Sequence, residues 1–157
     1  MIKKLEPEDL PWLIELRTPD AVNRYMGGPE MQNAEALAKR LPFYLECHEK
    51  FGFGFSTMTL KSTGEMIGTS GLQPLEESGE IEVGYNLAEK YWRQGFGFEC
   101  AFAWLKYGFE VAGLERIVAA GQGELMAEFA TPIPGSVSAD LLGFPESQHD
   151  ALMGWCN

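Results

Sequence analysis

Histidine and cysteine are scarce in this sequence, and their scarcity excludes several kinds of site. The chain has two histidines, His48 and His149, and three widely spaced cysteines, at positions 47, 100 and 156. Two histidines are too few for a histidine-rich zinc site and argue against a Ser-His-Asp triad, and the cysteines form no metal-binding motif. An odd cysteine count without a disulfide pattern is typical of a reducing compartment, so we expect a cytoplasmic protein with no metal.

Long apolar runs and positive charge are also lacking. No run is long enough to cross a membrane, and the first residues contain lysines but no apolar stretch typical of a signal peptide. The chain carries 12 Lys and Arg against 23 Asp and Glu, a net charge of −11. We therefore expect neither a nucleic-acid nor a membrane partner, because so acidic a surface repels phosphates. The acidity favours an amine or basic peptide as a partner only weakly, since net charge also keeps a protein in solution.

A glycine motif near the middle of the chain is its most informative stretch. Residues 91–99 read Y-W-R-Q-G-F-G-F-E, between a strand-like run, 80–87, and a helix-like run, 98–111. A helix N-terminus carries N–H groups without partners and a partial positive charge, and glycine lets a phosphate approach the backbone. The motif therefore indicates a pyrophosphate cradle over residues 93–98, with a plain strand–helix turn as the alternative.

Two well-known phosphate loops fit this stretch poorly. A Walker A loop requires Gly-Lys followed by Ser or Thr, which the sequence does not contain. A Rossmann fingerprint requires a third glycine at position 100, which is Cys100. The cradle, if present, belongs to a different class of fold.

The residues around the glycines resemble the acetyl-CoA site of the GNAT N-acetyltransferases. The run G-Y-N-L-A-E-K-Y-W-R-Q-G-F-G-F-E-C-A, residues 84–101, is similar to the family loop R/Q-x-x-G-x-G/A. It is closest to the branch resembling the ribosomal-protein N-terminal acetyltransferases RimJ and RimL, which often has Trp at the first loop position, here Trp92. The resemblance extends to T-G-E-M-I-G-T-S-G-L, residues 63–72, and Y-G-F-E-x-x-G-L-E-R-I-V-A, residues 107–119.

The resemblance implies a fold, a cosubstrate and a reaction. The implied fold is α+β, a mixed and mostly antiparallel sheet with helices on both faces and a strand–glycine loop–helix CoA site. The implied reaction is direct transfer of acetyl from acetyl-CoA, without a metal, to a primary amine that is either a small molecule or a protein N-terminus. The cofactor-binding residues it implies are Leu87, through its backbone, and the loop residues Trp92, Arg93, Gln94, Gly95, Phe96, Gly97 and Phe98.

Two residues on the strand before the loop are catalytic candidates under the resemblance. Glu82 occupies the family's acidic position before Gly-Tyr and is predicted to deprotonate the amine, directly or through water; the alternative is an exposed strand carboxylate. Tyr85 is a lesser candidate for the thiol end. Two other functions remain open, namely a non-catalytic acyl-CoA-binding domain on the same fold and an interaction module in which the glycine loop is only a turn.

The spacing of apolar residues and the positions of glycine and proline predict the helices and strands around this motif. We expect strands at 2–5, 51–60, 65–72 and 80–87, an acidic loop at 73–79, and a strand at 116–120 parallel to 80–87 after a right-handed crossover. A helix over 34–50 is predicted with Asn33 as its cap and Pro42 kinking or splitting it. In the helix over 98–111, Trp104 and Phe102 are predicted core residues.

The sequence departs from the family pattern after Ala120. The Asn and Ser that normally open the next helix are missing, and Glu124, Glu128 and the Pro132 to Pro134 break stand in their place. We expect a single domain over 1–157 with an atypical segment, 121–157, and with both glutamates pointing to solvent. The expected consequences are weaker CoA binding or slower turnover, and a sheet edge that a second copy could cover to form a homodimer.

Overall fold

A four-stranded antiparallel sheet forms the centre of the protein. The computed structural model describes residues 1–24, 26–75 and 78–119. The strands, in sheet order, are β1 (Ile2–Lys4), β2 (Ser56–Thr59), β3 (Met66–Pro74) and β4 (Ile81–Leu87). The helices are α1 (Leu10–Arg17), α2 (Asp20–Asn23), α3 (Ala34–Phe51) and α4 (Phe96–Glu110), with short 3-10 turns at Pro7–Asp9 and Glu89–Tyr91. The predicted α+β class is confirmed.

Helices cover both faces of the sheet. On β3, the Thr69 hydroxyl accepts a hydrogen bond from Arg17 of α1, at 3.2 Å. The hydroxyl of the next residue, Ser70, accepts one from the Trp104 indole of α4, at 3.1 Å. Successive strand residues point to opposite faces, so α1 and α4 lie on opposite sides of β3. Arg17 also donates to the hydroxyl of Tyr44, which places α3 on the α1 side.

Helix α3 begins at its predicted cap and runs unbroken through its proline. The Asn33 side chain accepts a hydrogen bond from the N–H of Ala36 at 2.9 Å. Pro42 lies inside the helix, so the predicted split is wrong. Proline removes one backbone hydrogen bond, but buried residues on both sides of it, Leu37 and Tyr44, pack into one cluster and hold the two halves to the same core.

The strand predicted over 51–60 is shorter than expected because its first residues close α3. Phe51 is the last helical residue, and Gly52 follows with φ 74° while its N–H bonds to the carbonyl of His48. A left-handed glycine after the last turn is a common helix ending. The strand β2 therefore begins only at Ser56.

Strand β3 is longer than predicted. Gln73 and Pro74, assigned from the sequence to an acidic loop, are its last residues and pair with Glu82 and Ile81 of β4. Proline is tolerated at the end of a strand, where no further ladder bond depends on its nitrogen. The result is that Gln73 lies directly across the sheet from Glu82.

Helix α4 starts two residues earlier than predicted, at Phe96. The predicted core position of Trp104 is confirmed, since 9% of the residue is exposed. The predicted core position of Phe102 is wrong, because 38% of that residue is exposed. None of the helices in the described ranges is both long and apolar enough to span a membrane. Of the predicted strand at 116–120, Val118 forms a parallel bridge with Glu82; Ala120, Glu124, Glu128 and the rest of the atypical segment lie outside the described residues.

Candidate functional site

At alternate residues along β4, the backbone N–H and C=O groups point away from β3, towards the outer edge of the strand. The N–H of Val83 donates to the carbonyl of Val118, and the N–H of Val118 donates to the carbonyl of Ile81, both at 2.8 Å. On the opposite edge, the N–H of Ala88 donates to Ile67 of β3 at 3.0 Å. Backbone groups alternate between the two edges along a strand. The N–H and C=O of Leu87 therefore point away from β3, along the same edge as those of Val83.

Trp92 braces the start of the loop on that edge. Its indole N–H donates to the carbonyl of Leu87 at 2.8 Å, and its ring packs against the cluster of Met58, Ile67 and Leu87. The described structure thus gives Trp92 a partner within the protein. Its packing fixes where the loop leaves β4.

The loop turns sharply through two left-handed residues. Arg93 has φ 59° and is the one non-glycine with a positive φ in the described part of the chain, and Gly95 has φ 82°. Between them, Gln94 donates from its side chain to the carbonyl of Lys90 at 2.8 Å. All three residues, Arg93 to Gly95, are exposed. The turn brings the chain directly from β4 into α4.

The N-terminus of α4 is open and has no side-chain cap. Gly95 is the N-cap residue, and its carbonyl accepts the hydrogen bond from Glu99 that opens the helix. Residues Phe96 and Gly97 begin the first turn, where N–H groups lack intrahelical acceptors and the helix dipole is positive. A Cβ built on Gly95 would meet nothing within 4 Å. This open, positively polarised corner fits a pyrophosphate, as the predicted cradle requires.

Packing inside the protein requires glycine at position 97, and the predicted contact of Gly97 with the phosphates stays a prediction. A Cβ at Gly97 would lie 2.6 Å from Cζ of Tyr85. The Tyr85 ring therefore packs directly on the first turn of α4, on the α4 face of the sheet. The aromatic cluster beside it includes Phe96 in edge contact with Tyr91, at 6.1 Å between ring centroids, while Phe98 packs along the helix against Phe102.

The two catalytic candidates point to opposite faces of β4. Tyr85 pairs with Ser70 and faces α4, whereas Glu82 pairs with Gln73 on the face that carries Thr69 and Arg17. The side chain of Gln73 donates from Nε2 to Oε1 of Glu82. Glu82 is half-buried rather than fully exposed, and its choice as the base over a plain strand carboxylate stays a prediction. Glu82 and Tyr85 thus lie on the same strand, but the structure does not bring their side chains together.

A buried polar cluster on the Glu82 face was not predicted from the sequence. Arg17 is 1% exposed, yet none of the ion pairs between described residues includes it. Its guanidinium donates to Tyr44 and Thr69 and lies over the Tyr44 ring, 5.4 Å from the centroid. Asn86 donates to the same Thr69 hydroxyl at 2.7 Å. This cluster joins α1, α3, β3 and β4.

Titratable groups near the loop have shifted protonation equilibria. Burial raises the pKa of the Cys100 thiol, an effect that a hydrogen bond from Ser70 opposes, so Cys100 stays a neutral thiol. On the surface, Lys90 lies 2.6 Å from Glu65, and this hydrogen bond lowers the pKa of Glu65. Among the residues described, no group of three or more His, Cys, Asp or Glu side chains is arranged to hold a metal ion.

The site is thus a strand that leads through a tight glycine turn into a helix without a side-chain cap. The sequence profile described as Acetyltransferase (GNAT) domain matches residues 1–123. A Bacillus subtilis (strain 168) protein named uncharacterized N-acetyltransferase YoaA is 30% identical over 119 residues, which are 74% of this chain and 67% of the relative. The chain belongs to the GNAT acetyltransferase domain family.

Solved structures share this fold. An acetyltransferase from Agrobacterium tumefaciens strain C58 is 25% identical with a TM-score of 0.68, over 75% of this chain and 67% of that one. RimL, a ribosomal L7/L12 alpha-N-protein acetyltransferase solved in complex with CoA, is 18% identical with a TM-score of 0.65, over 82% of this chain and 74% of RimL. At that identity, RimL shows a common fold alone.

Proposed function

We propose that this protein transfers the acetyl group of acetyl-CoA to a primary amine. The observation that carries the proposal is the open corner at Gly95, beside the outward-facing backbone of Leu87. Membership of the GNAT family supports the choice of acetyl-CoA as the ligand for this corner.

In the proposed complex, acetyl-CoA lies across the β4–α4 junction. The pyrophosphate accepts hydrogen bonds from the backbone of the cradle, residues 93–98, and is stabilised by the positive end of α4. Gly95 leaves room for the phosphates. The pantetheine arm runs along the outer edge of β4 and bonds to the backbone of Leu87, which brings the thioester towards the Tyr85 end of the site.

Glu82 is the proposed general base. A protonated amine cannot attack a carbonyl, so a proton must first leave its nitrogen, and Glu82 takes it directly or through water. The neutral nitrogen then attacks the thioester carbon, and a backbone donor stabilises the oxyanion that forms. The C–S bond breaks, and the thiolate of CoA takes the second proton lost from nitrogen; Tyr85 is the candidate donor on that side of the strand.

The acceptor is proposed as a small amine or a protein N-terminus. The branch resembling RimJ and RimL favours a protein N-terminus, and the net charge of −11 suits either kind of cationic acceptor. The cytoplasmic setting, the homodimer and the costs assigned to the segment after Ala120 remain predictions.

The test is turnover with acetyl-CoA and a panel of primary amines that includes polyamines, amino-acid amides and short peptides. Thiol release and the mass of the product are measured together. We expect an added mass of one acetyl group on at least one acceptor, with one thiol released for each. Binding of CoA without any acetylated product would favour the non-catalytic acyl-CoA-binding alternative, and absence of CoA binding would overturn the proposal.

A further inference from the structure

Gln73 is tied to the proposed base by strand register. It is directly opposite Glu82 in the antiparallel ladder between β3 and β4, and its Nε2 donates to Oε1 of Glu82. Side chains directly opposite each other on one face of such a pair are close enough to interact. One carboxylate oxygen of Glu82 is therefore occupied by the protein, and the other, Oε2, is the one left for an incoming proton.

The other end of the Gln73 amide has no partner in the described structure. Its Oε1 is buried and accepts no hydrogen bond. Buried amide oxygens are normally satisfied, and one that is not calls for an explanation. The position of Gln73 supplies an explanation, because the amide with the unpaired oxygen is the amide that donates to the carboxylate of the proposed base, Glu82.

The other buried polar pair on this face of the sheet does not include Gln73. The pair Thr69 and Asn86 lies further along the same two strands, and Gly71 and Gly84 pair between the two sets. Phe55 fills that gap, since a Cβ on Gly84 would lie 3.1 Å from its ring. Gln73 and Glu82 thus form a separate polar pair, beyond the cluster centred on Arg17.

We propose that Gln73 orients both the base and the acceptor amine. Its Nε2 holds Oε1 of Glu82, so that Oε2 faces the amine and takes its first proton, and its own Oε1 accepts a second N–H of the same nitrogen. Deprotonation leaves this nitrogen a single lone pair, which turns from Glu82 to the thioester carbon while the N–H stays on Oε1 of Gln73. This inference rests on the proposed acetyl transfer and adds to it a residue that selects amines with two N–H groups after deprotonation, which are primary amines.

The selectivity can be measured with matched acceptors. A secondary amine made by N-methylation keeps one N–H after losing its first proton, and the tetrahedral intermediate must lose that N–H proton as it collapses to the amide. Such an acceptor therefore leaves Oε1 of Gln73 unsatisfied when the intermediate collapses, whereas a primary amine still has its second N–H to donate. We expect wild-type protein to prefer the primary amine to its N-methyl analogue by about tenfold or more in kcat/KM, the scale of one buried hydrogen bond.

Two substitutions of Gln73 separate its donor from its acceptor. Gln73→Met removes both and should lower kcat by about tenfold or more, with the KM for acetyl-CoA unchanged, and should abolish the preference for the primary amine. Gln73→Glu keeps an acceptor oxygen but loses the donor, so kcat should fall while the preference remains. In a Glu82→Gln background, Gln73→Met should cost less than it does in the wild-type protein, because only its contact with the amine is then left to lose.

Gln32→Met is the matched control. Gln32 is also buried and its Oε1 likewise has no hydrogen-bond partner, but its Nε2 donates to the carbonyl of Met26, at 2.6 Å, and not to Glu82. We expect Gln32→Met to lower the melting temperature without changing the amine preference. Its effect on kcat should be the same with and without Glu82→Gln.

Three results would overturn the inference while leaving acetyl transfer intact. The first is a wild-type kcat in Gln73→Met, and the second is an unchanged amine preference in that variant. The third is a double variant with Glu82→Gln whose fold loss in kcat equals the product of the two single losses. Melting temperatures of all variants are measured alongside, and if Gln73→Met does not fold, Gln73→Glu decides through its kcat. Absence of acetylation by the wild-type protein would instead refute the proposed function itself.

Discussion

The ring of Tyr85 occupies the space that a side chain on Gly97 would need. A Cβ at Gly97 would lie 2.6 Å from Cζ and 3.0 Å from Cδ2 of that ring. The second glycine of the motif therefore sets how closely α4 approaches β4. Close approach brings the positive end of the helix next to the outer edge of the strand, where the proposed cosubstrate lies.

Gly97→Ala is expected to destabilise the fold by about 1–3 kcal/mol, the usual cost of forcing atoms into a filled space. The cost should shrink when Tyr85 is replaced by Ala, because the obstructing ring is then gone. Chemical denaturation of the two single variants and the double variant measures this coupling. Strictly additive free energies would show that the contact between Tyr85 and Gly97 does not limit the packing of α4.

Gly95→Asn tests the first glycine separately from the fold. Asn tolerates a positive φ better than other side chains do, and nothing within 4 Å opposes a Cβ at Gly95. The variant should therefore melt close to wild type without ligand, yet lose the rise in melting temperature that CoA produces, because its side chain occupies the pyrophosphate corner.

The matched control for that variant is Gly113→Asn. Gly113 has φ 67°, also with nothing within 4 Å of a Cβ, but it follows the opposite end of α4. It should keep the full response to CoA. If Gly95→Asn responds to CoA as strongly as Gly113→Asn does, the pyrophosphate does not bind at Gly95.

Thr69→Val should be costly because one hydroxyl serves two donors. Thr69 is fully buried and accepts hydrogen bonds from Arg17 and Asn86. Valine keeps the shape and leaves a buried guanidinium and an amide short of an acceptor, which we expect to cost about 2–3 kcal/mol. Thr57→Val, the paired residue on β2 whose hydroxyl donates to the carbonyl of Lys3, should cost about 1 kcal/mol. Equal costs in urea unfolding would contradict the importance assigned to the Arg17 cluster.

His48 should make stability fall as the pH drops below about 6.5, the ordinary pKa of histidine. Burial lowers the pKa of His48, although its hydrogen bond to the carbonyl of Phe55 partly opposes this. The folded state then binds fewer protons than the unfolded state over the range between the two values, so protonation favours unfolding there. Above that range the His48 contribution is constant.

Replacing His48 with Gln should flatten this dependence. Urea unfolding at about pH 7.5 and pH 5.5 gives the change in stability for each protein. His149 is present in both, so the difference between the two changes reports on His48. An identical loss of stability on acidification in wild type and variant would show that His48 is not held neutral by the fold.

The sequence located the strand, turn and helix of the site because each has a local signal. Glycine marks a turn, and the apolar spacing of Ala101, Trp104 and Leu105 marks one buried helix face. It misplaced the start of α4 because Gly95, as an N-cap without a side chain, carries none of the usual capping signals. The core position predicted for Phe102 was wrong, because an aromatic ring at the margin of a buried helix face can equally lie in solvent.

The pair of Gln73 and Glu82 and the cluster at Arg17 could not be predicted in the same way. Pairing across a sheet depends on register, and Pro74 with the acids that follow it reads as a loop. Arginine is rarely buried, so helical spacing alone gave no reason to place Arg17 in the core. Both features depend on contacts between elements far apart in the chain.

Turnover of Glu82→Gln against Glu80→Gln tests the central claim most directly. Both changes remove one carboxylate from neighbouring positions, but the Glu80 side chain pairs with Arg116 at the surface. With acetyl-CoA and an amine accepted by the wild-type protein, we expect Glu82→Gln to lose about 100-fold in kcat while Glu80→Gln stays close to wild type and both still bind CoA. Near wild-type turnover by Glu82→Gln across the pH range would contradict the account.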